Sequence, residues 1–292
     1  MPNSRRLSNA ASRRHLLLPY VLVAPAVAVL LALSIYPLIY SITVSLQVGD
    51  AWSIGNFTRL ASDNFFLTAM AHTFVFAVAA LSCEFLLGLG LALLLNSQIR
   101  GRGFFRATLL VPMMLPPVVA AIVWRLLLNP NFGAINGTLK EIGINTEALT
   151  WTASPSLAMM SVIAVDVWQW TPFVFLVLLA GLQAIPQEPY EAALIDGSSR
   201  WQTFWHVTLP SLRGAIVSGA LLTFARAVGE FGSTILVSGN LAGRTQTAPL
   251  YIFAKFNEGQ IEAANAIAIV LALFSFLIFS VLFLARDWLD VD

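Results

Sequence analysis

Five ionisable residues interrupt long apolar runs of the chain: Glu84, Arg125, Asp166, Arg226 and Glu230. Charge at hydrocarbon depth is costly, so such residues usually face the interior of a helix bundle and mark a functional path. Arg226 and Glu230 stand four apart, so on a helix they share a face and can simply pair. Asp166, Trp168, Gln169, Trp170 and Phe173 crowd around Pro172. That set offers hydrogen-bonding groups and flat aromatic faces, which together suit a sugar: its hydroxyls take the hydrogen bonds and its ring stacks. The same tryptophans also suit an aromatic belt at a membrane surface. An oxyanion would want a positive field or helix N-termini. Arg226 could supply charge, but Asp166 and Glu230 oppose an anion and favour a neutral ligand.

Other chemistries are excluded early. A lone cysteine, Cys83, permits no intrachain disulfide and no CxxC metal site, and its apolar surroundings suggest a packed core thiol. No G-x(4)-G-K-[ST] run occurs, so that motif does not cradle ATP phosphates here. Nothing in the sequence points to a catalytic residue or a bound metal.

The elements that must position these residues are membrane helices. Of 292 residues, 58% are hydrophobic and 11% charged, against about 25% charged in a soluble domain. Six segments are long and apolar enough to span: 17–45, 68–95, 105–128, 157–182, 212–238 and 264–285. The connections are 46–67, 96–104, 129–156, 183–211 and 239–263. Arginines 5, 6, 13 and 14 precede the first run as a signal peptide's would, but the run to Leu46 is too long and lacks a cleavage pattern. An uncleaved first span follows a tail over 1–15.

Basic residues orient the bundle. Arg5, Arg6, Arg13, Arg14, Arg100, Arg102, Arg106, Arg200, Arg213 and Arg286 fall on one side; Arg59, Lys140, Arg244 and Lys255 fall on the other. Ten against four places both termini in the cytoplasm. Pro25, Pro37, Pro112, Pro116, Pro117 and Pro172 lie within spans and predict kinks, most strongly at the 112–117 cluster.

The cytoplasmic connection 183–211 is not simply polar. Pro189 suits a first helical turn, Glu188 and Glu191 complement a helix N-terminus, and Gly197 suits a left-handed stop. A second amphipathic stretch, Trp201–Val207, follows and stops at Pro210. The residues thus predict helix, glycine turn, helix. Glu191-Ala192-Ala193, then Asp196-Gly197, Val207 and Leu209-Pro210 resemble the EAA signature of ABC importer permeases, E-A-A-x(3)-G-x(9)-I-x-L-P, with valine for isoleucine.

That resemblance implies an all-α membrane protein of the type I importer permease fold, its transmembrane domain over 16–292 with a core at 68–285. It implies a coupling helix, with Glu191, Ala192, Ala193, Asp196, Gly197, Leu209 and Pro210 meeting an ATP-binding subunit. Its implied partners are two such subunits carrying ATP and Mg, a second homologous permease and an extracytoplasmic binding protein, in a bacterial or archaeal cytoplasmic membrane. Nucleic acid is not among them.

Up to Pro210 the chain looks like MalF-like carbohydrate permeases, through "EFLLGLGLALLLN" from Glu84, "RATLLVPMMLPPVVAAIVW" from Arg106, "NPNFGAIN" from Asn129 and "VDVWQWTPFVFLVLLAGLQAIP" from Val165. Beyond it, "FARAVGEFGSTILVSGN" from Phe224 and "GRTQTAPLYIF" from Gly243 resemble molybdate, tungstate and sulfate permeases. Carried over by position from maltose-type permeases, the substrate pathway would use Asp166, Gln169, Trp170, Phe173, Thr223, Arg226, Ala227 and Glu230. A sugar or oligosaccharide is the favoured cargo and an oxyanion the alternative.

Overall fold

The structure, a computed structural model, describes residues 4–49, 51–147 and 149–289. It is a helical bundle with one two-stranded hairpin. Helix α1 runs over Ser4–Ser45, β1 over Gln47–Val48, β2 over Ala51–Trp52 and α2 over Gly55–Ala61. Then come α3 (Asn64–Asn96), α4 (Arg102–Met114), α5 (Pro117–Leu127), α6 (Ala134–Glu141) and α7 (Pro155–Ala184). The loop beyond carries α8 (Glu188–Ile195), α9 (Arg200–Thr203), a π-helical turn Phe204–Thr208 and α10 (Leu209–Ser211). Helices α11 (Arg213–Val228), α12 (Gly232–Ser238), α13 (Ala248–Asn257) and α14 (Ile261–Leu289) follow. Backbone is already helical from Ser4, within the tail expected over 1–15, and the stretch of α1 apolar enough to span is Tyr20–Ser45.

Among the described residues, four helices are long and apolar enough to cross a membrane unbroken: within α1, α3, α7 and α14, the apolar windows have mean hydropathy from 1.8 to 3.0. Helix α7 is the most buried of them and α3 lies along it. Small residues allow this. Ala69, Thr73, Ala77 and Ala80, then Gly88 and Ala92 beyond Glu84, recur at three- or four-residue spacing on the buried face of α3, where small side chains let membrane helices approach closely. A Cβ at Gly88 would stand 2.9 Å from Val174 Cγ1. By contrast the Tyr20–Ser45 stretch of α1 buries almost nothing, and α1 packs on α14 at the periphery, leaving this apolar surface for lipid.

The expected third span does not exist as one helix. Helices α4 and α5 meet at 96°. A residue before proline is pushed out of the helical region, and here two such residues are consecutive. Leu115, before Pro116, has ψ 135, and Pro116, before Pro117, has ψ 136. The chain therefore leaves the helix for two residues, and Pro117 restarts it where no N–H is needed. The expected fifth span is likewise interrupted, at Gly229–Phe231 between α11 and α12. Pro25, Pro37 and Pro172 leave α1 and α7 continuous.

Two other expectations are corrected. Cys83 is exposed on α3, not packed in the core. The run around it is apolar on all sides, so periodicity could not say which face meets the bundle. Arg125 is also exposed, in the last turn of α5, because that helix ends two residues later and its terminal carbonyls favour a cation.

At the N-terminal end of α3, Asp63 caps that helix by accepting from the Phe65 and Phe66 amides and takes the Tyr251 hydroxyl of α13 at 2.5 Å. Burial, with that carboxylate beside it, pushes the Tyr251 phenol well above its ordinary pKa.

Candidate functional site at the broken spans

Apolar packing divides into layers. Phe76 and Ala77 of α3 and Val162 and Val165 of α7 belong to one buried cluster; Ala92 and Leu95 of α3 and Val174 and Phe175 of α7 belong to another. Glu84 of α3 and Asp166, Gln169 and Trp170 of α7 fall between these layers, away from both helix ends.

Arg226 of α11 organises the polar layer. Its Nη1 and Nη2 donate to Asp166 Oδ1 and Oδ2 at 2.8 and 2.7 Å, a two-pronged pairing of planar groups. Nη2 also donates to Glu84 Oε1 at 3.1 Å, and Nη1 lies 3.6 Å from Glu230 Oε2. The guanidinium carbon sits 4.7 Å from the Trp170 ring centroid, within cation–π range. Glu84 and Asp166 are almost wholly buried, while the Arg226 side chain keeps 18% exposure. The simple Arg226–Glu230 pair is thus the longest of three ionic contacts, each carboxylate coming from a different stretch of chain.

The broken helices converge on this layer. Gln169 Nε2 donates to Leu115 O at 2.9 Å, satisfying a carbonyl that the Pro116–Pro117 step removes from α4. Glu230 Oε1 accepts from the Ser233 amide and hydroxyl at 3.0 and 2.8 Å, so it also caps the start of α12. Helix α12 packs on α5, and a Cβ at Gly232 would lie 3.5 Å from Pro117 Cβ. Non-helical backbone at membrane depth needs such protein partners, and paired interruptions of this kind point to a binding path.

Of the residues expected on that path, Asp166, Trp170, Arg226 and Glu230 come together in the cluster, and Gln169 borders it. Thr223 is buried one turn before Arg226. Phe173 packs with the apolar cluster of Ala92 and Val174, and Ala227 with that of Ala77 and Val165. Trp168 turns away to meet Trp124 edge-on. Glu84, singled out as a charge in an apolar run, was not in the set carried over from maltose-type permeases, yet it joins the cluster. Its partner stands 142 positions away, and only its acidity within an apolar run signals it.

The second feature is the loop after α7. Helix α8 begins with Glu188, Pro189 and Glu191 in its first turn. It ends in paired bonds, Gly197 N–H to Leu194 O at 3.1 Å and Ser198 N–H to Ala193 O at 2.9 Å, with Gly197 at φ +74. This is the Schellman stop, which glycine adopts without a Cβ clash. Ser199 and Gln202 then form a reciprocal capping box that starts α9. The second helix does not stop at Pro210 as expected; it runs through a π turn and Pro210 to Ser211 before bending by 61° into α11. Tyr190 ties the two limbs through Thr208 at 3.3 Å. On α8 Ala193 is buried, whereas Glu191, Ala192, Leu194 and Ile195 are exposed.

Interrupted apolar helices around buried charge, with a helix–glycine–helix loop at one end, define a transport permease. The chain belongs to the family of binding-protein-dependent transport system inner membrane components, which its residues 84–291 match. It is a multi-pass inner-membrane permease subunit of an ABC importer. It is 34% identical, over 90% of its length and 92% of the relative's, to the trehalose/maltose transport system permease protein MalF of Thermococcus litoralis. With the trehalose permease SugA of Mycobacterium tuberculosis it shares 33% identity over 81% of this chain and 76% of that one. With the sulfate permease CysW of Synechocystis the identity is 31% over 87% of each. The fold is that of a chain in a bacterial ABC transporter for the acidic polysaccharide alginate, with TM-score 0.83 and 22% identity over 98% of this chain and 99% of that one.

Proposed function

We propose that this subunit forms half of a pore that imports a carbohydrate, a sugar or oligosaccharide, by alternating access. The charge balance at the broken spans carries the reading. Three carboxylates, Glu84, Asp166 and Glu230, surround the guanidinium of Arg226. Even with one of the three protonated, two carboxylates against one guanidinium leave the layer net negative, and low-dielectric surroundings magnify its repulsion of an oxyanion. A neutral polyol meets no such barrier. Gln169 Oε1, Trp170 Nε1 and Thr223 Oγ1 are buried without a hydrogen-bond partner in the chain, which leaves them capacity for sugar hydroxyls. The trehalose and maltose relatives support the same cargo class. Sulfate, molybdate or tungstate is the second reading, favoured by the CysW similarity and by the partial exposure of Arg226.

In this mechanism the pore pairs the chain with a second, homologous permease, and two ATP-binding subunits hold ATP and Mg beneath them. A binding protein delivers cargo from outside. Both termini and the α8 loop face the cytoplasm. Closure of the ATPase dimer draws the α8 helices together through Glu191, Ala192 and the exposed Leu194 and Ile195, with Asp196 and Gly197 fixing the turn and Leu209-Pro210 passing the motion to α11. The pore then opens outward, and hydrolysis resets it.

The test is ATPase stimulation in the complex reconstituted with its binding protein. Maltose- or trehalose-class sugars should raise ATPase several-fold, with sulfate and molybdate inert. The reverse pattern would establish the oxyanion reading, and cargo flux without ATP would refute the importer mechanism.

A further inference from the structure

Between the docking helix and the fifth span lies a feature that coupling leaves unused. Trp201, Phe204 and Trp205 form a three-ring cluster: Trp201 stacks on Phe204 at 5.8 Å, and Trp205 meets both edge-on at 5.5 and 5.3 Å. The cluster is not core. Trp201 is 68% exposed and Trp205 47% exposed, so large apolar faces point outward, where water contact is unfavourable.

Geometry places those faces beside the bilayer. Residues Arg200–Ser211 cross α11 at 61°. With α11 along the membrane normal, the preceding helix lies within about 30° of the membrane plane, as interfacial amphipathic helices do. Trp205 precedes Arg213, the first residue of α11, by eight positions, about 12 Å along a helix. The π turn sets the rotation. Pro210 has no N–H to give His206 and its ring crowds that carbonyl; the wider turn before it, closed by Leu209 N–H to Phe204 O, keeps Thr208 and Leu212 buried while Trp201 and Trp205 face out.

We propose that Trp201, Phe204 and Trp205 are a membrane anchor seated among the headgroups of the cytoplasmic leaflet, holding the coupling loop at fixed depth. Tryptophan favours this amphipathic zone. Exposed Arg200 and Arg213 bracket the rings and suit anionic lipid phosphates. The other exposed apolar pair in the loop, Leu194 and Ile195, lies on α8, so motor docking and lipid contact use different limbs. The inference rests on the cytoplasmic placement of this loop, which a membrane-impermeant thiol reagent on Ser198→Cys in intact cells tests separately.

The anchor is tested by nitroxide labels at Trp201→Cys, Trp205→Cys and Gln202→Cys, each in a Cys83→Ala background. The permease is reconstituted in phosphatidylethanolamine–phosphatidylglycerol vesicles with and without its ATP-binding subunits. The ratio of oxygen to nickel-chelate collisions should be several-fold higher at 201 and 205 than at 202, with and without those subunits. A water-like ratio at all three overturns the proposal. So does protection that arises only when the ATP-binding subunits are added, which would make the rings a protein-docking surface. As a check without labels, Trp201→Phe/Trp205→Phe should lose tryptophan quenching by lipids brominated near the headgroup but not by those brominated near the chain end. Unchanged headgroup quenching overturns it.

Discussion

Arg226 holds Asp166 through both arms of its guanidinium, at 2.8 and 2.7 Å, and so joins α11 to α7 across 60 residues of sequence. Breaking a buried pair from one side strands the other charge, at a cost of about 3–5 kcal/mol. Arg226→Met should therefore lower stability in detergent by that amount, and Asp166→Asn should do nearly as much. The double variant should lose clearly less than the two singles added. Strict additivity in a double-mutant cycle by chemical unfolding would show that the pair is not coupled.

Gln169→Leu tests the break between α4 and α5. Leu115 O would lose its donor inside the membrane, which costs about 1–3 kcal/mol, while side-chain volume changes little. Transport should fall with stability, because the 96° corner is then held only by proline geometry and apolar packing. A variant as stable as wild type in a thermal-shift assay would show that the Gln169 hydrogen bond does not support the corner.

Two glycines of α3 should respond oppositely to a methyl group. At Gly88 a Cβ meets Val174 Cγ1 at 2.9 Å and Phe175 N at 3.1 Å, whereas at Gly90 nothing lies within 4 Å. Gly88→Ala should destabilise, by about 1–3 kcal/mol for overpacking. Gly90→Ala should be neutral or stabilise by up to about 1 kcal/mol through helix propensity. Paired melting curves in one detergent decide it.

Gly197→Val isolates backbone strain at the coupling loop. No atom lies within 4 Å of a Cβ there, yet φ is +74, a conformation that costs an L-residue roughly 1–2 kcal/mol. A β-branched residue should distort the Schellman stop without a clash. The assembled complex should then hydrolyse ATP with little transport, and Gly197→Asn should recover part of it because asparagine tolerates this region. Full transport by the valine variant would remove the loop's conformation from the coupling step.

The helix–glycine–helix loop was readable because its signals are local. Pro189 and Gly197 each set backbone geometry within a few residues; the Ser199/Gln202 box, equally local, was found only in the structure. The spans were readable as apolar length, and their interruption was foreshadowed at Pro112–Pro117 but not at Gly229–Phe231, where no proline marks it.

What the residues determined alone was the class: how many apolar segments, which loop is built to stop and restart a helix, and which charges are out of place in hydrocarbon. Tertiary structure decided which of those charges meet. Uniformly apolar helices carry no periodicity to say which face is inward, so Cys83 was expected inside and lies outside, and Arg125 likewise. Glu84, Asp166 and Arg226 become one site only because small residues let α3 lie close against α7 and α11 brings its guanidinium between their carboxylates.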